Sequence, residues 1–385
     1  MLINLKRNVF RHLSNIPGWR TNRKIVVIES DDWGSTRTAN KQAYEKMKAF
    51  GLNVDKNHYG SDSLESNSDL DTLMNVLLEF KDASGRPPVF TPFCITANPD
   101  FDKIEAGNFA EYHFESLDQT ILKYPEHDKL LDYWNKGEAH RLFCPQLHGR
   151  EHIHVGRWWE IIQSGDEGMK EAFRWRSVGA SASNGNEYPN YAGALHPFRK
   201  EEIPGLHSIL KDAGALYEQY MGHKPSCFVA PNAEEPAELE QTLKEIGVMT
   251  LTRAKRRIYP LGDGAFKTEW NWPGRQNQYG QTIIVRNAFF EPVCFGEPDK
   301  AYITDWVDKC LKEIHIAFRW KKPAVVSTHR VNYAGFIHPE NRNKGITALR
   351  RLLKEITKKW PEVEFLSSVD LGALIAGNLK DGIKQ

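Results

Sequence analysis

Short, unbroken apolar runs recur along the chain, separated by stretches whose apolar residues fall at helical spacing. The runs are Ile25–Ile28, Val89–Thr96, Leu142–Leu147, Phe228–Pro231, Val248–Leu251, Thr282–Val285 and Ala324–Ser327, with a last at Val363–Leu366. They lack the alternation of a strand with one wet face, so each predicts a strand buried on both sides, as in a parallel sheet. Between them, Glu201–Tyr220, Ala237–Ile246, Tyr302–Phe318 and Ile346–Trp360 place apolar residues three and four apart and predict helices. Gly247 and Pro323 stand as stop signals after two of them. Strands alternating with helices predict an α/β fold with a parallel sheet, either open or closed into a barrel.

The organisation follows from the same pattern. No repeat of fixed period and no Pro- or Ser-rich linker divides the chain, and Ser177–Gly193 reads as a long irregular loop. Residues 23–376 therefore read as one domain with loop insertions, preceded by a basic segment, 1–22, and followed by a polar tail, 377–385. The first 28 residues carry Lys6, Arg7, Arg11, Arg20, Arg23 and Lys24 and no acid. Leu5, Val9, Leu13 and Ile16 would form one helical stripe there. That stripe predicts a helix covering the barrel bottom, or else a surface helix that docks on an anionic membrane.

Composition narrows the function classes. The 385 residues are 40% apolar and 26% charged, with a net charge of +1, which gives no reason to expect nucleic-acid binding. No run reaches the ~18 apolar residues of a membrane span. Lys6, Arg7, Arg11 and His12 interrupt any apolar block of signal-peptide length. The five cysteines (94, 144, 227, 294 and 310) are odd in number and contain no CxxC pair. They read as reduced packing residues, and the expected location is the cytoplasm.

In folds of this kind ligands bind at the carboxyl ends of the strands, so the polar residues that directly follow the apolar runs matter most. The first run ends in Asp31-Asp32-Trp33-Gly34. Adjacent strand residues face opposite ways, so the two carboxylates need not share a role; the bland alternative is a turn former or a helix cap. The third run ends in His148-Gly-Arg-Glu151-His152-Ile-His154. A separation of four would set His148 and His152 on one side of a helical turn, suited to a tetrahedral metal with an Asp or Glu as third ligand. His154 lies off that line and reads as a supporting residue. The run at 324 ends in Thr328-His329-Arg330. Weaker features are Pro231-Asn232, at another strand end, and the aromatic pairs Trp158-Trp159 and Trp270-Asn-Trp272, which suit sugar stacking but more often serve packing.

Two metal readings compete. His148-x-x-Glu151-His152 matches the H-x-x-E-H of inverted-motif zinc peptidases, but that motif belongs inside a helix, and Pro145 and Gly149 disfavour one here. The order Asp-Asp, His-x-x-x-His, a Pro-containing strand end and Thr-His instead resembles the polysaccharide deacetylase (NodB-homology, carbohydrate esterase) family. The resemblance runs from about Lys24 to Ile375 and includes Gly222-His-Lys-Pro225 before a strand.

The resemblance implies a distorted (β/α) barrel of about seven parallel strands with loop insertions. It implies Asp31 as base, His329 as acid, and Asp32, His148 and His152 as ligands of one divalent ion, with Zn the leading candidate. The implied activity is metal-dependent removal of an N- or O-linked acetyl group from a carbohydrate or glycoconjugate. The remaining alternative is a sugar-binding relative without turnover. Two departures stand out: Val229 replaces the family's third-motif arginine, and no fourth motif is found, since Asp305-Trp306 sits in a predicted helix. Arg286 is the candidate to replace the missing charge. Trp33, His154, Pro231, Asn232 and Trp272 are candidate substrate or support residues.

Overall fold

Among the described residues nine strands, all paired in parallel, build one sheet: β1 (Lys24–Trp33), β2 (Phe90–Ile95), β3 (Gln146–Gly149), β4 (Cys227–Phe228), β5 (Thr250–Arg253), β6 (Thr282–Val285), β7 (Ala288–Phe289), β8 (Ala324–His329) and β9 (Val363–Phe365). The computed structural model describes residues 9–55, 58–180, 189–293 and 305–377. Leu5, Lys6 and Arg7 of the basic segment, Cys294, residues 181–188 of the predicted loop, 302–304 of a predicted helix and the tail from 378 lie outside the described residues.

The strand order is β6-β5-β4-β3-β2-β1-β8-β7, with β9 paired to the start of β1. Its two ends, β6 and β7, are separated in the chain by only Arg286 and Asn287, so the sheet has to curl until its edges meet. The Arg286 amide donates to Arg253 O on β5 (3.2 Å), and the Asn287 amide donates to Val325 O on β8 (3.1 Å). The Asn287 side chain continues the seam: Oδ1 accepts from the Val325 amide and Nδ2 donates to Pro323 O, both at 2.9 Å. The result is a distorted (β/α) barrel. Thr252 Oγ1 on β5 donates across its lumen to Glu29 on β1 at 2.8 Å.

The count exceeds the expected seven for a physical reason. The apolar run Thr282–Val285 ends at Arg286–Asn287, a further two-residue strand, Ala288–Phe289, pairs on the opposite side, and β9 touches only the first residues of β1. Two strands are displaced from their apolar runs. At 142–147 only Phe143 bridges to Phe90 before Pro145, and the paired strand is Gln146–Gly149. At 228–231 the strand is Cys227–Phe228, because the Val229 carbonyl turns to a histidine ring and Pro231 has no amide to donate.

Alternation along β1 sorts the layers. Val26 and Ile28 face outward into the main core under helices Asn67–Leu78, Ile203–Met221, Trp306–Arg319 and Pro339–Lys359. Ile25 and Val27 face the lumen with Ile284, Val325, Leu371 and Leu374, so helix Ser368–Ile375 plugs the bottom. The apolar floor leaves the polar groups to the other end of the lumen. A satellite core with Phe101, Ile153, Trp158, Phe173 and Tyr191 holds the insertions; Trp158 is wholly buried there, so it packs and offers no sugar platform.

Among the described residues of the N-terminal segment, 9–13 are helical. Residues 9–22 run along the seam: Arg11 pairs with Glu313, Asn15 meets Asn287, and Gly18 and Trp19 carbonyls accept from Lys322 Nζ. This path covers a flank of the barrel as well as its bottom.

Candidate metal centre

β1 ends in a bulge, and the bulge makes the site. Its register to β2 shifts between Ser30 and Trp33, and Asp32 takes φ 79°, a left-handed conformation that Asp tolerates better than most residues. Gly34 follows at φ 80°, where a Cβ would lie 2.5 Å from Ile95 O. Because of the bulge, strict alternation fails and both carboxylates serve the mouth.

Asp32, His148 and His152 form a buried trio whose potential ligand atoms all lie within 4.8 Å of one another. Asp32 Oδ1 is 2.9 Å from His152 Nε2 and 3.6 Å from His148 Nε2. Ligands about 2.0–2.1 Å from a tetrahedral ion sit about 3.3 Å apart, so these spacings bracket the requirement. His148 Nδ1 donates to Val229 O at 2.7 Å, which fixes the tautomer and turns a lone pair on Nε2 toward the trio. That Nε2 is buried and has no hydrogen-bond partner among the described residues. Burial, with Arg37 nearby, lowers the His152 pKa to about 4, so the ring is neutral, as a ligand must be. The donor set fits a divalent ion.

The two histidines do not share a helical turn. His148 is the penultimate residue of β3, Gly149 takes φ 155°, and 150–154 is irregular, so convergence comes from a strand end and the loop beyond it. Glu151 is turned away, accepting from Arg150 Nε (2.9 Å) and Tyr112 OH (2.9 Å). The helix that an H-x-x-E-H peptidase requires is absent from these described residues.

Asp31 faces different partners. Arg286 Nη1 and Nη2 donate to its two oxygens at 2.6 Å each, and Arg286 Nε donates to Glu29 Oε2 at 2.7 Å. Burial favours the neutral acid, but Arg286 outweighs it and lowers the Asp31 pKa. His329 Nε2 lies 3.9 Å from Asp31 Oδ2, and its Nδ1 lies 2.6 Å from Glu291 Oε1. Burial opposes the imidazolium, yet Glu291, with the two aspartates behind it, raises the His329 pKa to about 10. Asn332 Nδ2 holds the other Glu291 oxygen at 2.7 Å.

Behind Asp32 runs a second set of buried charges. Arg37 meets Asp32 (2.9 Å) and Asp62 (3.2 Å); Arg330 meets Asp62 (2.8 Å) and Glu65 (3.0 Å). Glu65 in turn accepts from the Gly34 amide at 3.1 Å. Burial works against the Asp32 carboxylate, but Arg37 and the two imidazoles hold it ionised, well below the usual range.

Sequence reasoning missed Glu291, Arg37, Asp62, Glu65 and Arg330. Arg330 adjoins His329 in the same motif, and that was the one available signal. Several candidates lie elsewhere. Trp33 is buried in the outer core, its Nε1 donating to Ser30 Oγ at 2.9 Å, because the bulge turns it outward. His154 caps helix Val155–Gln163, accepting from the Arg157 amide at 3.0 Å. Trp272 packs against Gly18 near the floor. Asp305 caps the helix it precedes and binds Arg351. Pro231 lies beside Gly149 at the end of β3, and Asn232 occupies a left-handed turn position, φ 56°.

The fold and site thus define a closed parallel α/β barrel with an acid–histidine trio at the carboxyl ends of its strands. No family model matches the sequence, and no curated protein matches it. Polysaccharide deacetylases are among its structural neighbours. A putative polysaccharide deacetylase from Mycobacterium smegmatis aligns at 12% identity and TM-score 0.44, covering 94% of each chain. Puue allantoinase aligns at 10% identity and TM-score 0.45, covering 92% of this chain and 91% of its own. The 4-alpha-glucanotransferase of Thermococcus litoralis aligns at 10% identity and TM-score 0.44 over 91% of this chain, which spans 40% of that enzyme.

Replacing Arg286 by Met strands two buried carboxylates, and the expected loss of stability near neutral pH is about 3–5 kcal/mol. The sign with pH also changes. In the native protein the depressed Asp31 pKa contributes stability that is present above the ordinary carboxylate range and lost as the pH falls. In Arg286→Met burial dominates, the folded state holds the extra proton, and stability falls as the pH rises. Urea unfolding at pH 5 and pH 8 reads this; an equal loss at both would contradict the assignment.

Proposed function

We propose that the protein is a metal-dependent hydrolase that removes an N- or O-linked acetyl group from a carbohydrate or glycoconjugate. The observation that carries this reading is one mouth holding three differently prepared elements: a buried ligand trio, an ionised carboxylate and a protonated imidazole. A divalent ion held by Asp32, His148 and His152, with Zn best suited to the donor set, would polarise the acetyl carbonyl and acidify a water.

The chain's own residues supply the proton traffic. Asp31, kept ionised by Arg286, accepts a proton from the attacking water. His329, kept protonated by Glu291, donates to the departing amine or alkoxide, which is a poor leaving group without that proton. The 3.9 Å between the two side chains leaves room for the reacting centre to sit against both. Arg286, paired with Asp31 and Glu29, supplies a positive charge beside the base in place of the arginine that the family resemblance expects at the position held by Val229; the Val229 carbonyl is used for orienting His148, a task independent of its side chain. Cys94, Cys227 and Cys310 are buried and unpaired, which supports a reducing compartment and an intracellular glycan precursor as substrate.

Acetate release from a panel of acetylated hexosamines, nucleotide-linked sugars and oligosaccharides tests the proposal. The zinc-loaded protein is expected to release acetate, and the His148→Ala, His152→Ala double variant to lose both metal and activity. Stoichiometric zinc with no acetate from any substrate would favour a sugar-binding relative without turnover.

The pH profile tests the acid. Activity needs protonated His329, so it falls as the pH rises through that pKa. Glu291→Gln removes the charge that raises it, and the alkaline limb is expected to move down by about 1–3 units. An unmoved limb would remove His329 from the acid role.

A further inference from the structure

A cavity of 590 Å³ opens beside His329 and Glu291 and extends along the barrel seam to the N-terminal segment. Its outer wall is aromatic, with Phe10, Phe289 and Trp306; Phe10 and Phe289 are 51% and 43% exposed. Cations punctuate this apolar wall. Lys309 Nζ lies over the rings of Phe289 (5.2 Å) and Trp306 (4.9 Å). Arg11 and Lys309 both bind Glu313, at 3.0 and 2.8 Å, which neutralises that carboxylate. Lys255 is a further cation on the same wall. Its Nζ donates to Ser14 Oγ at 2.8 Å, and no carboxylate among the described residues lies within ion-pair distance of it. Burial, with Arg11 nearby, lowers its pKa to about 8 despite Glu313. The other charges on the cavity are already paired: Arg253 with Glu240, Arg286 with Asp31 and Glu29, and His329 with Glu291. Three cations therefore meet one carboxylate on an apolar wall that is continuous with the reacting residues.

We infer that this cavity is a substrate subsite for an organic phosphate: the acetylated sugar carries, on its other side, an anionic group joined to an apolar chain or ring. The assignment rests on the deacetylase reading for what reacts, and on the cavity's own residues for what binds. Lys255 neutralises the phosphate, Lys309 and Arg11 add to the field, and the Phe10, Phe289 and Trp306 faces bury the apolar part. A neutral sugar polymer uses none of these charges.

Calorimetric titration of the full chain with hexyl phosphate, hexyl glucoside and inorganic phosphate tests the subsite. The three ligands are titrated into wild type, Lys255→Met, Lys309→Met and the His148→Ala, His152→Ala double variant. The double variant excludes phosphate captured by a metal, and its binding does not depend on turnover. Hexyl phosphate is expected to bind wild type and the double variant alike, at least tenfold more tightly than hexyl glucoside or inorganic phosphate. Lys255→Met and Lys309→Met are each expected to weaken it at least fivefold, with thermal midpoints showing that both variants fold. Hexyl glucoside binding as tightly as hexyl phosphate, or unchanged binding in both lysine variants, would overturn the subsite. Retained hexyl phosphate binding in a protein that releases no acetate would uphold the subsite and sink the deacetylase reading alone.

Discussion

Arg286 is the interaction on which the rest of the site depends. It sits at the point where the sheet's two edges meet, and its backbone amide belongs to the seam while its guanidinium reaches Asp31 and Glu29 inside the lumen. Two carboxylates on the same face of one strand repel each other and lose hydration, a combination that normally neutralises one of them. A planar fork with three donors in place relieves the conflict and lowers the Asp31 pKa. Closing the barrel and ionising Asp31 are therefore coupled, because the residue that closes the ring is the one that pairs this carboxyl group.

The neighbouring aspartate is prepared by different means. Asp32 is reached by Arg37 and the two imidazoles, and the bulge that gives it a positive φ separates its environment from that of Asp31. A backbone held in such a conformation costs about 1–3 kcal/mol and persists only where its surroundings over-determine it. Here they do: Glu65 and Asn98 bind the Gly34 amide and carbonyl directly behind the bulge, and Arg330 ties Glu65 to Asp62. Arg330 follows His329 in the chain, so the same strand end presents the imidazolium to the mouth and, through Glu65, braces the bulge of β1.

Much of this was legible in the sequence because buried parallel strands carry an unmistakable apolar run, and a polar group directly after such a run lies at the mouth. Asp31, Asp32, His148 and His329 were singled out in that way, and the fold brings their side chains close to one another. His152 was found for the wrong local reason, since i and i+4 meet here through a loop and not a helix. Trp33 was misread because a bulge reverses the facing of the residue after it, and a bulge leaves no mark in an apolar pattern. Glu291 was invisible: it follows a two-residue strand that no periodicity can register, and its value lies in a partner 38 residues away. The Arg37–Asp62–Arg330–Glu65 set was hidden for the opposite reason, as charged residues in loops read as solvated until the fold buries them.

The trio at the junction of β1, β3 and the loop after β3 is suited to hold one cation. Diffraction from zinc-soaked crystals at the zinc absorption edge measures this directly. A single strong anomalous peak is expected about 2.0–2.2 Å from a carboxylate oxygen of Asp32, from His148 Nε2 and from a ring nitrogen of His152. A peak bound elsewhere, or none at this trio in fully loaded crystals, would contradict it.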